Sequence, residues 1–291
     1  MGKIAIVCPT IRPESFKGFV KGWWDLIEQH EASLITVWDG DKPKVEVNGE
    51  EKGDVDSIMG DDNTLIFNRN DGVRNLGFAY IAKEMPEIET IITLDDDTMP
   101  IGDPIQDHLN ALDQRVSTSW ISTSSEYTRG FPYGTRTESE VVLSHGVWEG
   151  VKDYDAPTQL VNGNKDVTFY KGPIPKGVYY PMCGMNLAFK RKMLPYMYFA
   201  PMGYKVGIDR FADIWCGITS KRVIDDNDWA VVTGYAKVRH DRASNVYKNL
   251  QKEAEGIEMN EGFWKGEETA KYFKFYKSCR IGWEKFISDI I

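Results

Sequence analysis

Three consecutive carboxylates, Asp95-Asp96-Asp97, close the run Thr90-Ile91-Ile92-Thr93-Leu94. Like charges side by side repel, and a divalent cation carrying a phosphate group relieves that repulsion. A solvated acidic turn is the plainer alternative. The apolar run in front argues against it, because a buried strand that ends in acids holds them at a sheet rim, where open α/β folds bind ligands. Other chemically capable residues also follow apolar runs. Thr10 and Arg12 lie in Pro9-Thr10-Ile11-Arg12-Pro13, Asp39 in Asp39-Gly40-Asp41, and Arg69 in Asn68-Arg69-Asn70-Asp71. Arginines at such places suit a diphosphate or ribose, as does Arg74 a few residues on. An acid past a second parallel strand commonly holds a ribose or base, although Asp39-Gly40 reads equally well as a turn.

The elements that must position these residues follow from periodicity. Strands are expected over 3–8, 33–38, 64–67 and 90–94, and helices over 14–29, 72–85 and 103–114. Residues 43–62 are polar and without period, which suits a surface excursion with a small hairpin. That order predicts an α/β fold with a mostly parallel twisted sheet. It brings four strand ends, carrying Arg12, Asp39, Arg69 and Asp95 to Asp97, to one rim. An Asp-x-Asp after a strand is also how sugar-nucleotide glycosyltransferases hold a cation against a diphosphate. Beyond Ser117, short strands, aromatics and Gly- and Pro-rich loops suggest an acceptor-side subdomain rather than an independent domain. The expectation is one domain over 1–291, with a nucleotide-binding half (1–116), a sugar or acceptor half (117–256) and a C-terminal helical extension (257–291). Aromatics along 262–291 read as core packing or as a contact between copies of the chain.

Bulk properties remove several classes. A formal charge of −9 over 291 residues argues against a nucleic-acid partner. An anionic sugar nucleotide stays compatible, given a local metal and a few arginines. Cys8, Cys183, Cys216 and Cys279 form no C-x-x-C pair, so neither a zinc site nor a disulfide framework is indicated. No run is long enough to span a bilayer, and no signal peptide is visible. A soluble cytoplasmic protein, without integral membrane association, is expected.

Longer strings carry a specific likeness. Arg129-Gly130-Phe131-Pro132-Tyr133, Ser144-His145-Gly146-Val147-Trp148 and Asp153-Tyr154-Asp155-Ala156-Pro157-Thr158-Gln159-Leu160-Val161 are three such blocks. Pro181-Met182-Cys183-Gly184-Met185-Asn186-Leu187-Ala188-Phe189 and Ala243-Ser244-Asn245 are two more. With the blocks around Arg12, Asp39, Arg69 and Asp95, they make the chain up to about Gly256 resemble the reversibly glycosylated polypeptides, which include the plant UDP-arabinopyranose mutases. The resemblance implies a GT-A-like (Rossmann-like) glycosyltransferase fold and an enzyme that needs a divalent metal cation, Mn2+ or Mg2+. The implied reaction interconverts UDP-L-arabinopyranose and UDP-L-arabinofuranose, with a UDP-sugar as substrate.

Residue roles follow from that resemblance. Arg129 matches the arginine that becomes glycosylated in the family, and Arg136 a second required arginine. A guanidinium is a poor nucleophile unless a base takes its proton, so a carboxylate is needed beside it; Asp213 is the candidate, with helix capping as the alternative. Asp95 and Asp97 are expected to hold the metal with Asp96 beside the nucleotide, and His240 to complete the metal shell. His145 touches the sugar or packs beside Trp148, and Asn186 is placed to bond sugar hydroxyls. The chain departs from the plant pattern between Asp71 and Arg74, at Ala212-Asp213 and after Gly256, which leaves the sugar open. A metal-dependent glycosyltransferase, autoglycosylating or with a separate acceptor, and a non-catalytic UDP-sugar-binding subunit are the competing readings.

Overall fold

Strand β1 (Ile4–Thr10) shows how the sheet comes to be covered on both sides. Ile4, Ile6 and Cys8 enter one apolar cluster while Ala5 and Val7 enter another, as the two-residue period of a strand requires. The structure, a computed structural model, describes residues 3–121, 124, 126–163, 165–203, 206–241, 245–265 and 271–291. After β1 come α1 (Pro13–Gln29), β2 (Ser33–Trp38), β3 (Lys44–Val47), β4 (Glu50–Asp54), α2 (Val55–Met59), α3 (Asn75–Glu84), β5 (Thr90–Leu94), β6 (Thr98–Pro100) and α4 (Pro104–Leu112). The chain continues through β7 (Arg115–Val116), β8 (Ser139–Gly150), α5 (Ala156–Asn162), β9 (Gly172–Pro173), β10 (Asn186–Lys190), α6 (Ala212–Asp226), β11 (Ala230–His240), α7 (Val246–Phe263) and α8 (Lys271–Ser288).

The sheet order is β4-β3-β2-β1-β5-β10-β8-β11-β6, with β7 beside β8 and β9 beside β11. Strand β1 runs parallel to β2 and β5, and β8 parallel to β11, while β10 is antiparallel to both β5 and β8. From β2 to β11, therefore, only β10 runs against the others, and the central sheet is mostly parallel within an α/β fold. Helix α1 starts on Pro13, whose missing N–H costs nothing at the first turn, and buries Phe19, Trp23 and Ile27. These join Ile105 and Leu112 of α4 on one face. On the other face Leu76 and Phe78 of α3, Trp215 of α6 and Trp283 of α8 share a second cluster. Helix α3 lies so close to the sheet that a Cβ on Gly77 would stand 2.8 Å from Val7 Cγ1 and 2.9 Å from Val37 Cγ2.

Three expectations change. No strand forms over 64–67; a 3-10 turn occupies Gly60–Leu65, because the β3–β4 hairpin takes the open edge of β2. The helix expected from Gly72 begins as a 3-10 turn over Asp71–Arg74 before α3. The helical stretch expected over 262–291 is instead the end of α7 and the whole of α8, and 266–270 fall outside the described residues. The aromatic stripe of α8 packs inward: Trp283 Nε1 donates to the Leu194 carbonyl at 3.0 Å and the Tyr272 hydroxyl to the Pro201 carbonyl at 2.8 Å. Among the described residues no helix is long and apolar enough to cross a membrane.

Candidate active site

Sheet register decides which residues meet. Parallel pairing of β1 with β2 and β5 brings Thr10, Arg12, Asp39 and Asp95 to one rim. Strand β10 starts beside Leu94, so the segment 181–185 enters at the same rim. Antiparallel pairing sets His240 across from Thr98, the residue after Asp97, and parallel pairing sets it beside Gly150, three residues before Asp153.

The three acids of the opening run face different partners. Asp96 is 2% exposed and accepts from Thr10 Oγ1 at 2.5 Å and Arg12 Nε at 3.1 Å. It fixes Thr10 and Arg12 on the rim and itself lines the cavity they share with Asp39. Asp97 lies 3.1 Å from an Arg12 terminal nitrogen and 3.8 Å from His240 Nε2. Asp95 pairs at 2.8 Å with Arg74. Burial, then the neighbouring Asp95, pushes the Asp97 carboxyl above its usual range. That is crowding a cation would relieve.

His240 Nδ1 lies 3.1 Å from the Val151 carbonyl. A proton on Nδ1 makes that bond and leaves the Nε2 lone pair facing Asp97, the arrangement of a metal-binding imidazole. Among the described residues no three His, Cys, Asp or Glu side chains group closely enough to hold a metal alone. The Asp97 carboxylate and the His240 imidazole, 3.8 Å apart, are donors of the kind a Mg2+ or Mn2+ ion accepts, and such an ion takes much of its shell from water and phosphate.

Three adjoining cavities meet at Asp95. The first, about 350 Å³, is lined by Thr10, Arg12, Asp39, Arg69 and Asp95. The second, about 330 Å³, is lined by Asp95, Asp97, Asp153, Arg210 and His240. The third, about 370 Å³, adds Asp71, Cys183, Asp209 and Asp213 to Asp95, Asp153 and Arg210. In the first cavity Asp39 Oδ1 accepts from the backbone N–H of Arg69 and of Gly40, both at 2.8 Å, and burial raises its pKa. Arg69, in the left-handed region at φ 59°, reaches out to Asp41 at 2.6 Å.

Asp213 stands in the first turn of α6 and its Oδ2 accepts from the Gly184 N–H at 3.1 Å. Burial, helped by the charges of Asp71 and Asp153, pushes its pKa up to about 8 despite that bond. Its carboxyl therefore holds a proton to higher pH than an ordinary carboxyl does. Asp71 is raised to about 6, by burial first and then against the opposing pull of Arg74.

Several expected ligand contacts prove internal. Arg74 is 1% exposed, pairs with Asp71 and Asp95, and donates to Thr93 Oγ1 at 2.5 Å and the Gly184 carbonyl at 2.8 Å. It braces the rim from below and has no face left for a ribose or phosphate. His145 is buried; its Nε2 accepts from the Cys183 N–H at 3.0 Å, and its Nδ1 meets Thr233 Oγ1 at 3.1 Å and the Tyr180 hydroxyl at 3.0 Å. Burial lowers its pKa to about 3. Asn186 spends its amide on His108 at 2.9 Å and on the carbonyls of Val147 and Ala236. Neither residue lines the cavities: His145 takes the second of its two expected roles, packing edge-on against Trp148 with ring centres 6.2 Å apart, and the sugar contact expected of Asn186 gives way to holding the strands beneath the site.

Arg129 is exposed and makes no hydrogen bond among the described residues. Arg136 stacks over Tyr127 and Tyr133, 4.9 and 3.9 Å from the ring centres, and donates to the Phe131 carbonyl at 3.2 Å. Neither arginine lines the three cavities, so Asp213 is not brought to Arg129. Ala243 and Ser244 lie outside the described residues. Asp71, Asp153, Arg210, Lys252 and Glu253 line the cavities without having been assigned a role. For Asp153 a usable signal was present, a charged residue shortly after the long apolar strand β8.

A model of the family described as "Reversibly glycosylated polypeptide" matches residues 1–279. UDP-arabinopyranose mutase 3 of Arabidopsis thaliana is 34% identical, with 94% of this chain and 78% of that protein aligned. UDP-arabinopyranose mutase 2 of the same plant is 33% identical over 99% of this chain and 85% of its own length. Among solved structures, the catalytic domain of Drosophila beta1,4galactosyltransferase 7 in complex with xylobiose aligns over 85% of this chain and 73% of its own. At 12% identity and a TM-score of 0.42 that likeness carries no argument. The family match and the relatives are sufficient without it: the chain belongs to the reversibly glycosylated polypeptide family.

Proposed function

We propose that the protein is a UDP-sugar mutase interconverting UDP-L-arabinopyranose and UDP-L-arabinofuranose. Family membership and the named mutases among its relatives support the reaction. The observation that carries the reading is the place of Asp95, which lines all three cavities. The first cavity suits the nucleoside, with Asp39 and Arg69 at its edge. The second suits the diphosphate and its cation, and the third the sugar. One strand reversed within an otherwise parallel central sheet suits the GT-A-like fold that the resemblance implies.

Asp95, Asp97 and His240 would hold Mn2+ or Mg2+, which when bound supplies Lewis-acid stabilisation of the departing UDP. Arg12, steadied by Asp96, stands where it can orient the nucleotide. The anomeric C–O bond breaks with its electron pair going to the β-phosphate oxygen, a sugar hydroxyl bonds C1 as the ring oxygen leaves it, and the same β-phosphate oxygen then re-forms its bond to C1. Asp213, which lines the third cavity and holds its proton to higher pH than an ordinary carboxyl, would give a proton to the ring oxygen leaving C1 and take one from the hydroxyl that replaces it. That shift suits a proton donor in the resting protein, where the sequence suggested a base for Arg129. A cytoplasmic setting suits the free, buried thiols of Cys8, Cys183, Cys216 and Cys279.

The exposure of Arg129 favours a second reading, in which that arginine is an acceptor glycosylated by a transferase activity rather than an intermediate held in the sugar cavity. Chromatography after incubation with UDP-arabinofuranose and Mn2+ tests the mutase reading: UDP-arabinopyranose appears if it holds. Unchanged furanose with a sugar-sized mass increase on Arg129 would favour the transferase instead.

A further inference from the structure

Arg210 is the cation whose surroundings the mechanism has not used. Its backbone is in the left-handed region, at φ 69°, a conformation a branched or bulky residue rarely adopts without reason. Its Nε donates at 2.6 Å to Glu253 Oε1 of α7, and Glu253 is 3% exposed. The other oxygen of Glu253 accepts from the Ala156 N–H at 2.6 Å, where α5 begins. The guanidinium plane is therefore fixed from one side. Among the described residues its two terminal nitrogens make no hydrogen bond, and Arg210 lines both the cation cavity and the sugar cavity.

The other guanidiniums are differently placed. Arg74 is enclosed, with its nitrogens on Asp71, Asp95, Thr93 and Gly184. Arg12 is turned onto Asp96 and Asp97, and Arg69 out to Asp41. Arg210 is absent from the nucleoside-side cavity lined by Thr10 and Asp39, so it stands at the far end of a bound nucleotide.

Resting on the proposed UDP-sugar substrate, we propose that Arg210 is the residue that grips its β-phosphate, and that Glu253 is a positioning residue acting through Arg210. A buried carboxylate on one edge of a guanidinium pre-orders it, so the opposite fork meets two phosphate oxygens with little further ordering cost. The site would then discriminate diphosphates from monophosphates, which lack the group Arg210 reaches.

Calorimetric titration with UDP and UMP at fixed Mn2+ tests this. Arg210→Gln should weaken UDP on the order of 10- to 100-fold while leaving UMP within about twofold of wild type, the scale of losing charged hydrogen bonds. Glu253→Gln keeps an acceptor for Ala156 and should weaken UDP less, again without affecting UMP. Added to Arg210→Gln it should change nothing further, a non-additivity that a merely structural role would not produce. Retained UMP binding shows that each variant is folded. Arg210→Gln with wild-type UDP affinity overturns the inference and leaves the mutase reading standing. Additive losses overturn the role given to Glu253. A wild-type protein that binds UDP no better than UMP contradicts both the inference and the reading on which it rests.

Discussion

Arg74 and Asp213 hold opposite ends of one residue: Asp213 Oδ2 takes the Gly184 N–H at 3.1 Å, and Arg74 donates to the Gly184 carbonyl at 2.8 Å. The same arginine pairs with Asp95. Asp213 and Asp95 are thus tied through the main chain of a single glycine. A Cβ on Gly184 would lie 2.7 Å from Phe199 Cε1 and 3.0 Å from an Arg74 terminal nitrogen. Gly184→Ala should therefore displace Arg74 and lower both thermal stability and UDP affinity. Equal loss of stability without any change in UDP binding would show the tie to be structural only.

Arg74→Met removes the guanidinium but leaves Asp71 and Asp95, 33% and 34% exposed, side by side without their counter-charge. Deleting one partner of a fully buried pair costs about 3–5 kcal/mol, and the hydration of both carboxylates sets this loss below that range. The variant should show that loss in denaturant unfolding, with the deficit shrinking at acid pH as the stranded carboxylates take up protons. A pH-independent deficit would mean that packing against Phe199, 4.7 Å away, dominates.

Asp213→Asn separates chemistry from binding. With a proton donor removed, conversion should fall on the order of 10²–10⁴-fold, while UDP affinity stays near wild type. Stability should respond with a defined sign. The folded pKa, about 8, lies above the ordinary carboxylate value, so the folded state binds more protons between roughly pH 4 and 8 and wild-type stability falls as pH rises through that window. Asn carries no such slope. The variant should gain on wild type in thermal midpoint as pH goes from 4 to 8, and a constant difference would show that Asp213 is not held protonated.

His240→Ala should raise the Mn2+ concentration needed to support UDP binding by about 10-fold or more, the scale seen when a metal ligand or its support is lost. Chelation with EDTA should weaken UDP in the wild type far more than in this variant. Identical Mn2+ dependence in the two proteins would remove His240 from the proposed shell.

Much of this site was legible because strand ends advertise themselves. Thr10, Arg12, Asp39 and Asp95 each follow an apolar run, and parallel register carries all four to one rim. Arg69 reached the rim without the strand expected before it, since a turn before the loop serves as well. Asn186 misled because a conspicuous polar residue in a distinctive string need not face a ligand, while His145 takes the packing role left open for it beside Trp148. Both satisfy buried hydrogen bonds between β8, β10 and β11, a demand set by tertiary packing that no local pattern displays. Arg210 and Glu253 were invisible for a related reason: 43 residues separate them, and only the packing of α7 against the segment that leads into α6 brings them together. Asp213 was found, but its protonation was not, because burial and the proximity of Asp71 and Asp153 raise its pKa.

The central claim, that one site releases UDP from a sugar and returns it to the same sugar with the ring changed, is tested most directly by proton NMR of UDP-L-arabinofuranose incubated with the protein and Mn2+. The account predicts that the furanose anomeric signal declines as the UDP-arabinopyranose signal grows, that free UDP stays at a trace level, and that Asp95→Asn shows neither change. Stoichiometric accumulation of UDP with loss of the furanose signal and no pyranose signal would contradict it.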